Sequence, residues 1–209
     1  MSQPRPTTPQ QAWDEMVAGN HRFVTGDLAH LRQDIDHVEA LAAGQKPFAA
    51  LFGCADSRLS AEIIFDVGLG DLFVVRNAGQ VIGDSILGSL EYSVEVLGVP
   101  LIIVLGHDEC GAIRATIDAT EGKLQAQGQY IKTIVSQIEP TVHEANKRGL
   151  HHIDDVTALH IEETINEMIT KSEIIADAVS NGKVGIVGAN YRLALGEIHP
   201  LFVVGEVNK

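Results

Sequence analysis

Cysteine is scarce here: the 209-residue chain has two, Cys54 and Cys110. Positive charge is also thin, with 15 Lys and Arg against 28 Asp and Glu, a formal charge of −13. An acidic field of that size repels phosphate backbones and anionic lipid, which argues against a nucleic-acid binder and against a membrane-surface protein. No uncharged apolar run approaches the roughly 20 residues that span a bilayer. The start, Met1-Ser2-Gln3-Pro4-Arg5-Pro6, lacks the basic-then-apolar layout of a secretory signal. The expectation is a cytoplasmic protein, and in that reducing compartment a structural disulfide is not expected. Two free cysteines then point to core packing, metal ligation or nucleophilic chemistry. What is present is ordinary for a globular chain: 45% hydrophobic and 21% charged residues, which excludes disordered and low-complexity classes.

The first ten residues hold three of the seven prolines and read as a flexible lead-in, so that 1–209 forms one domain with a loose start. From Pro9, the residues Trp13, Met16, Val17, His21 and Phe23 recur at near-helical spacing up to Gly26, and a second helix runs from Asp34 to Ala43 before Gly44. Helices carrying large apolar groups ahead of the core are expected to pack on a partner subunit. Five apolar runs follow: Phe48–Phe52, Leu72–Val75, Leu101–Leu105, Val184–Val187 and Leu201–Val204. Helical stretches lie between them at Ala61–Phe65, Ser85–Leu97, Gly111–Glu121, Tyr130–Lys147 and Asp155–Asn181. Continuous apolar strands alternating with helices predict an α/β fold, a mainly parallel sheet covered on both faces. Gly188–Pro200 is too short for a helical crossover, so the last two strands are expected to form an antiparallel pair at one edge.

Ligands of open parallel sheets bind beyond the carboxyl ends of the strands. Two such ends are reactive: Gly53-Cys54-Ala55-Asp56-Ser57-Arg58 and Gly106-His107-Asp108-Glu109-Cys110-Gly111. Taken singly, a buried cysteine is most often a small hydrophobe and a histidine a packing residue. Together, Cys54, His107 and Cys110 make three soft N/S ligands at one sheet edge, the pattern of catalytic zinc with an open fourth position. Asp56 either supplies a fourth ligand or stays behind the ligand set. A Cys–His nucleophile pair is the alternative, and it leaves one cysteine unexplained. Asp56 and Arg58 project to one side of an extended segment. Elsewhere that would be a weak surface ion pair, but beside a metal the arginine holds the aspartate ready to orient the nucleophile.

These residues are similar to those of the β-class carbonic anhydrases. The two zinc-signature segments, Phe73-Val74-Val75-Arg76-Asn77-Ala78-Gly79, Glu91-Tyr92 and Gly19-Asn20-His21-Arg22-Phe23 carry the resemblance, which covers the chain from about Trp13 to the final strand. It implies reversible hydration of carbon dioxide to bicarbonate and a proton, with one zinc ion per subunit and zinc-bound hydroxide as nucleophile. It also implies that Gln45 donates a hydrogen bond to the substrate and that Phe73, Ala78 and Tyr92 line its pocket, Ala78 standing where relatives often carry Val. Asp56 and Arg58 orient or gate the metal, and a homodimer or homotetramer is expected. An inhibitory bicarbonate pocket in some members uses Trp, Arg and Tyr; Arg76 and Tyr191 match two of these, whereas the Trp position is Leu51.

Two other functions fit the same residues: a hydrolase of carbonyl sulfide or carbon disulfide, and a catalytically silent zinc-binding regulator with Asp56 on the metal. Retention of Asp56, Arg58 and Gln45 together argues against the regulator. Gly68-Leu69-Gly70 precedes a strand rather than opening a helix, so it is no dinucleotide fingerprint. His151-His152 reads as an exposed loop pair, Glu162-Glu163 as a solvated helix face, and His21 and His160 as packing or surface residues. Tyr92, Asp108 and Glu109 are the candidates to carry the product proton away.

Overall fold

The computed structural model describes residues 5–125 and 128–209. Helix α1, Pro9–Thr25, begins as its sequence dictates: the Thr8 hydroxyl accepts from the Gln11 N–H, Pro9 sits where no N–H is needed, and Gly26 closes the end in the left-handed region at φ 79°. The lead-in expected over residues 1–10 thus gives way to helix at Pro9. It is tied down before that, because Arg5 pairs at 2.7 Å with buried Asp71; residues 1–4 lie outside the described residues. Helix α2, Ile35–Leu41, is capped by Asp34 and stops two residues short of the expected Ala43.

The rest alternates. Strand β1 (Ala49–Cys54) leads to α3 (Ala61–Ile64), β2 (Leu72–Asn77), a single 3-10 turn at Ala78–Gln80, α4 (Asp84–Glu95) and β3 (Leu101–His107). Helices α5 (Gly111–Thr120), α6 (Gln129–Lys147), α7 (Ile153–Lys171) and α8 (Glu173–Ser180) precede β4 (Gly185–Arg192) and β5 (Glu197–Val204). The five strands lie in the order β2-β1-β3-β4-β5. All neighbours are parallel except β4 and β5, so the expected α/β fold, with its antiparallel edge pair, is what the chain adopts.

Every residue of β1 and β3 is buried, because helices cover both faces of the sheet. Alternate residues divide between two cores. Leu51, Leu101, Ile103 and Leu105 join Trp13 and Met16 of α1 on one face. Phe52, Ile102 and Val104 join Ile161, Ile165 and Met168 of α7 on the other. A fully buried side chain of this size contributes about 1.5–3 kcal/mol relative to exposure, so the two faces dominate the stability. The large apolar groups of α1 therefore pack within this chain, while Val17, Val24, Ile35 and Val38 of the first two helices stay exposed.

Strands β1 and β3 run two residues past the expected Phe52 and Leu105, to Cys54 and His107, and three elements differ further. The stretch Asp155–Asn181 is two helices, not one: Ser172 is extended (φ −115°, ψ 106°) and its hydroxyl accepts from the Ile175 N–H, capping α8. The same hydroxyl donates to Glu91 on α4 at 2.7 Å, a tertiary contact that helps fix the break in the stretch expected to be one helix. Strand β4 continues past Val187 through Gly188-Ala189-Asn190-Tyr191 because pairing with β3 and β5 on both sides carries it on. Strand β5 begins at Glu197 rather than Leu201, with Pro200 tolerated on an edge strand beside a register shift at Gly188/Ala189.

Candidate metal centre

Parallel register brings the reactive strand ends together. Gly53 of β1 pairs with Leu105 of β3, so Cys54 lies one step and His107 two steps beyond that pair, at the same carboxyl edge. Cys110 follows three residues later, at the N-terminus of α5. The sulfurs of Cys54 and Cys110 and a ring nitrogen of His107 lie within 4.8 Å of one another, and all three residues are buried.

The histidine is set up as a ligand. Nδ1 of His107 lies 2.8 Å from the Asp108 carbonyl, which can only accept, so Nδ1 carries the proton and Nε2 keeps its lone pair. Among the described residues that Nε2 is buried with no hydrogen-bond partner. An unpartnered buried acceptor between two cysteine sulfurs is costly unless something binds there, and the N/S donor set suits zinc. The residues present fit the metal.

The cysteines divide the charge. A hydrogen bond from the Cys110 thiol holds the Cys54 thiol well below its ordinary range, against the cost of burial, with the Gly79 N–H adding to it. Cys110 is pushed up by that same thiolate and by burial. The N–H groups of Ala112 and Ile113 at the start of α5 work the other way, favouring negative charge on the Cys110 sulfur.

Asp56 is clasped by Arg58. The guanidinium donates from Nε to Oδ1 at 2.9 Å and from the terminal nitrogen to Oδ2 at 2.7 Å, and the Arg58 backbone N–H reaches Oδ1 at 3.0 Å. The arginine hydrogen bond holds the carboxyl well below the usual carboxylate range, so Asp56 is an anion and accepts only. Its Oδ2 lies 3.8 Å from Nε2 of His107, beside the three ligands.

The pocket residues expected from the resemblance lie partly at the surface of the single chain. Phe73 and Tyr92 pack against each other with ring centroids 6.0 Å apart. Gln45 and Ala78 are exposed. Leu51 is buried in the core beneath the sheet edge, Tyr191 pairs with His107 in the β3–β4 register, and Arg76 is spent on backbone. Asp108 is also engaged: its Oδ1 accepts from the Leu193 N–H at 2.9 Å, and Arg192 lies 3.5 Å from Oδ2. Glu109 is exposed, 3.5 Å from Arg114.

Sequence reasoning missed several supports. Arg76 donates to the carbonyls of Cys54 at 2.9 Å and Asp56 at 2.6 Å, bracing the loop that carries both. The Gly79 N–H points at the Cys54 sulfur at 3.5 Å. His160, read as packing or surface, is buried, with Nε2 2.8 Å from the Gly79 carbonyl. No local pattern announces these contacts, since each joins residues far apart in the chain.

The centre has counterparts in known proteins. A family model described as carbonic anhydrase matches residues 49–198. Carbonic anhydrase 2 of Mycobacterium tuberculosis is 48% identical over 188 residues, covering 90% of each chain. Among solved structures, the β-carbonic anhydrase CcaA superposes with a TM-score of 0.73 at 25% identity, covering 94% of this chain and 93% of that one. One of two tetrameric β-carbonic anhydrases from Sordaria macrospora gives 0.73 at 21%, a likeness of fold, with 94% of this chain and all of that one covered. The matched residues run from β1 into β5 and include all three candidate ligands at the sheet edge; on that ground the chain belongs to the carbonic anhydrase family, in its β class.

Proposed function

We propose that this chain catalyses the reversible hydration of carbon dioxide, with Cys54, His107 and Cys110 holding one zinc ion and Asp56 and Arg58 orienting the nucleophile. The observation that carries this reading is the lone pair of His107 Nε2, buried without a partner among the described residues, within 4.8 Å of two cysteine sulfurs and next to a carboxylate already clasped. Bound zinc supplies a Lewis acid that brings the pKa of a water toward neutrality.

The chain's own residues do the rest. Asp56 accepts a hydrogen bond from the attacking water or hydroxide, and Arg58 fixes where that acceptor stands. Because both carboxylate oxygens are committed to Arg58, Asp56 does not wander toward the metal without breaking two charge-assisted bonds. Phe73 and Tyr92 offer an apolar wall suited to a small uncharged gas, and Gln45 brings a donor for its oxygen. Water and carbon dioxide combine to bicarbonate, and the proton leaves toward solvent. Asp108 is occupied by the Leu193 N–H, which leaves the exposed Glu109 and Tyr92 as the candidates to take it.

Self-association as a homodimer or homotetramer completes the reading. The exposed apolar residues of α1 and α2, and a Tyr92 that is 43% exposed, are surfaces a second copy would cover. A cytoplasmic location agrees with two unpaired cysteines used as ligands. No helix among the described residues is long and apolar enough to cross a membrane.

The test is stopped-flow carbon dioxide hydration on protein of measured zinc content, scanned from acidic to alkaline pH. Turnover that follows one ionisation supports an open site with Asp56 on Arg58. Steep onset only at high pH indicates a gate at Asp56. No turnover at any pH with zinc fully bound overturns the enzyme reading.

A further inference from the structure

His160 has no part in the chemistry above, yet it is buried on α7 and its ring nitrogen Nε2 lies 2.8 Å from the Gly79 carbonyl oxygen. A carbonyl only accepts, so Nε2 carries the proton and donates. Burial holds the imidazole pKa down, which keeps the ring neutral.

The residue it grips is unusual. Gly79 has φ 76° and is followed by Gln80 at φ 45°, so two consecutive residues are left-handed, the second of them not glycine. Such a backbone persists only where its surroundings hold it. A side chain at Gly79 would meet Ala112 Cβ at 2.8 Å and Ile138 Cδ1 at 2.9 Å, so the turn is pressed against α5 and α6. Asn77 brackets its far end, with bonds to both the N–H and the carbonyl of Val81. The peptide between Gly79 and Gln80 is the one whose oxygen His160 holds. On its other side, the Gly79 N–H points at the Cys54 sulfur at 3.5 Å.

We infer that His160 is a positioning residue of the metal centre: by holding the Gly79 carbonyl it keeps the Gly79 N–H on the Cys54 sulfur. The N–H draws charge from the thiolate and fixes the direction in which the sulfur presents its lone pairs. Without the imidazole donor, the strained turn relaxes and the sulfur loses both. This rests on Cys54 being a zinc ligand. Changes of this kind behind a ligand alter metal affinity or activity by roughly 10–100-fold.

Two full-length variants separate the hydrogen bond from simple packing. In His160→Met the side chain has similar reach and no donor; in His160→Gln an amide N–H stands near the place of Nε2. The expected result is that H160M gives up zinc to a competing chelator about 10-fold faster or more. Its cobalt-substituted form should show the sulfur-to-metal absorption band shifted to longer wavelength, and H160Q should recover most of both effects. Zinc release at the wild-type rate with an unshifted band in H160M would overturn the proposal. Equal acceleration in both variants would overturn it too, since that marks a packing loss. Failure of the wild-type protein to bind zinc is a different result, which removes the metal reading itself and this proposal with it. Should H160M not fold, the imidazole nitrogen shifts of the wild-type protein decide: a neutral ring protonated at Nε2 supports the proposal, and a ring protonated at Nδ1 overturns it.

Discussion

Arg76, on the outermost strand β2, donates from Nε to the backbone carbonyl of Cys54 at 2.9 Å. With its second bond to the Asp56 carbonyl at 2.6 Å, one guanidinium ties the backbone of Cys54 and Asp56 to a neighbouring strand. The fork geometry of arginine makes this bridging possible where lysine would reach only one carbonyl. Replacement by methionine should leave the fold intact but loosen the loop 54–58. We expect R76M to release zinc about 10-fold faster than wild type in a chelator competition. An unchanged rate would show that the loop holds its shape without the brace.

The three ligands should behave as one unit. C110S and H107A should purify with zinc well below one equivalent and without hydration activity, because each leaves two ligands and an uncompensated buried polar group. Removing zinc from the wild-type protein with a chelator should abolish turnover, and adding zinc back should restore it. Metal analysis beside the rate assay checks this, and full activity in zinc-free protein would be the contrary result.

Arg58 should matter to turnover more than to metal content. R58A leaves Asp56 anionic and held only by the backbone N–H of residue 58, and we expect kcat to fall about 10–100-fold with zinc still bound. R58K, a point charge without the fork, should fall between R58A and wild type. Equal zinc content across the three, together with a graded kcat, is the expected pattern; a loss of zinc in step with activity would assign Arg58 to metal retention instead.

Asp66 gives the stability a dependence on pH. Burial alone would raise its pKa, but the Ala29 N–H, Arg22 and the His30 N–H outweigh that and hold it below the ordinary value. Arg22 Nε lies 2.5 Å away and the two N–H groups lie at 2.9 Å and 3.2 Å. A carboxyl depressed in the folded state contributes stability above its unfolded pKa of about 3.9, and that contribution disappears as pH falls through the folded value. The melting temperature of D66N should therefore lie below wild type near neutral pH, with the gap closing in acid. A gap that is constant with pH would contradict this.

Ser172 should stabilise the junction of α7 and α8. S172A removes the cap on Ile175 and the bond to Glu91, and the cost should be about 1–2 kcal/mol. Urea unfolding measures it. No shift in the midpoint would mean that the helix break is held by packing alone.

Much of this protein was legible in its sequence because the relevant signals are local. Continuous apolar runs separated by amphipathic stretches dictate a sheet buried on both faces, and the glycines after Phe52 and Leu105 mark the approach to strand ends that pairing carries two residues on, to Cys54 and His107. Cys54, His107 and Cys110 could be grouped because parallel strands place their carboxyl termini at one edge. The short link Gly188–Pro200 foretold the antiparallel pair. Other features depend on contacts between distant segments. The stretch 155–181 reads as one helix because the break at Ser172 is fixed in part by its bond to Glu91, 81 residues away. Gly188-Ala189-Asn190 lies in the expected link between the last two strands, and it becomes strand because β3 and β5 hydrogen-bond it from both sides. Asp56 is clasped by Arg58 through both oxygens, a pairing that side-chain geometry shows and sequence spacing only suggests. His160 carried no signal at all, since its meaning comes from a backbone carbonyl in the turn after β2. Apolar periodicity and strand-end chemistry are properties of neighbouring residues and can be read along the chain; hydrogen bonds that settle a side chain's partner exist only once the layers have packed.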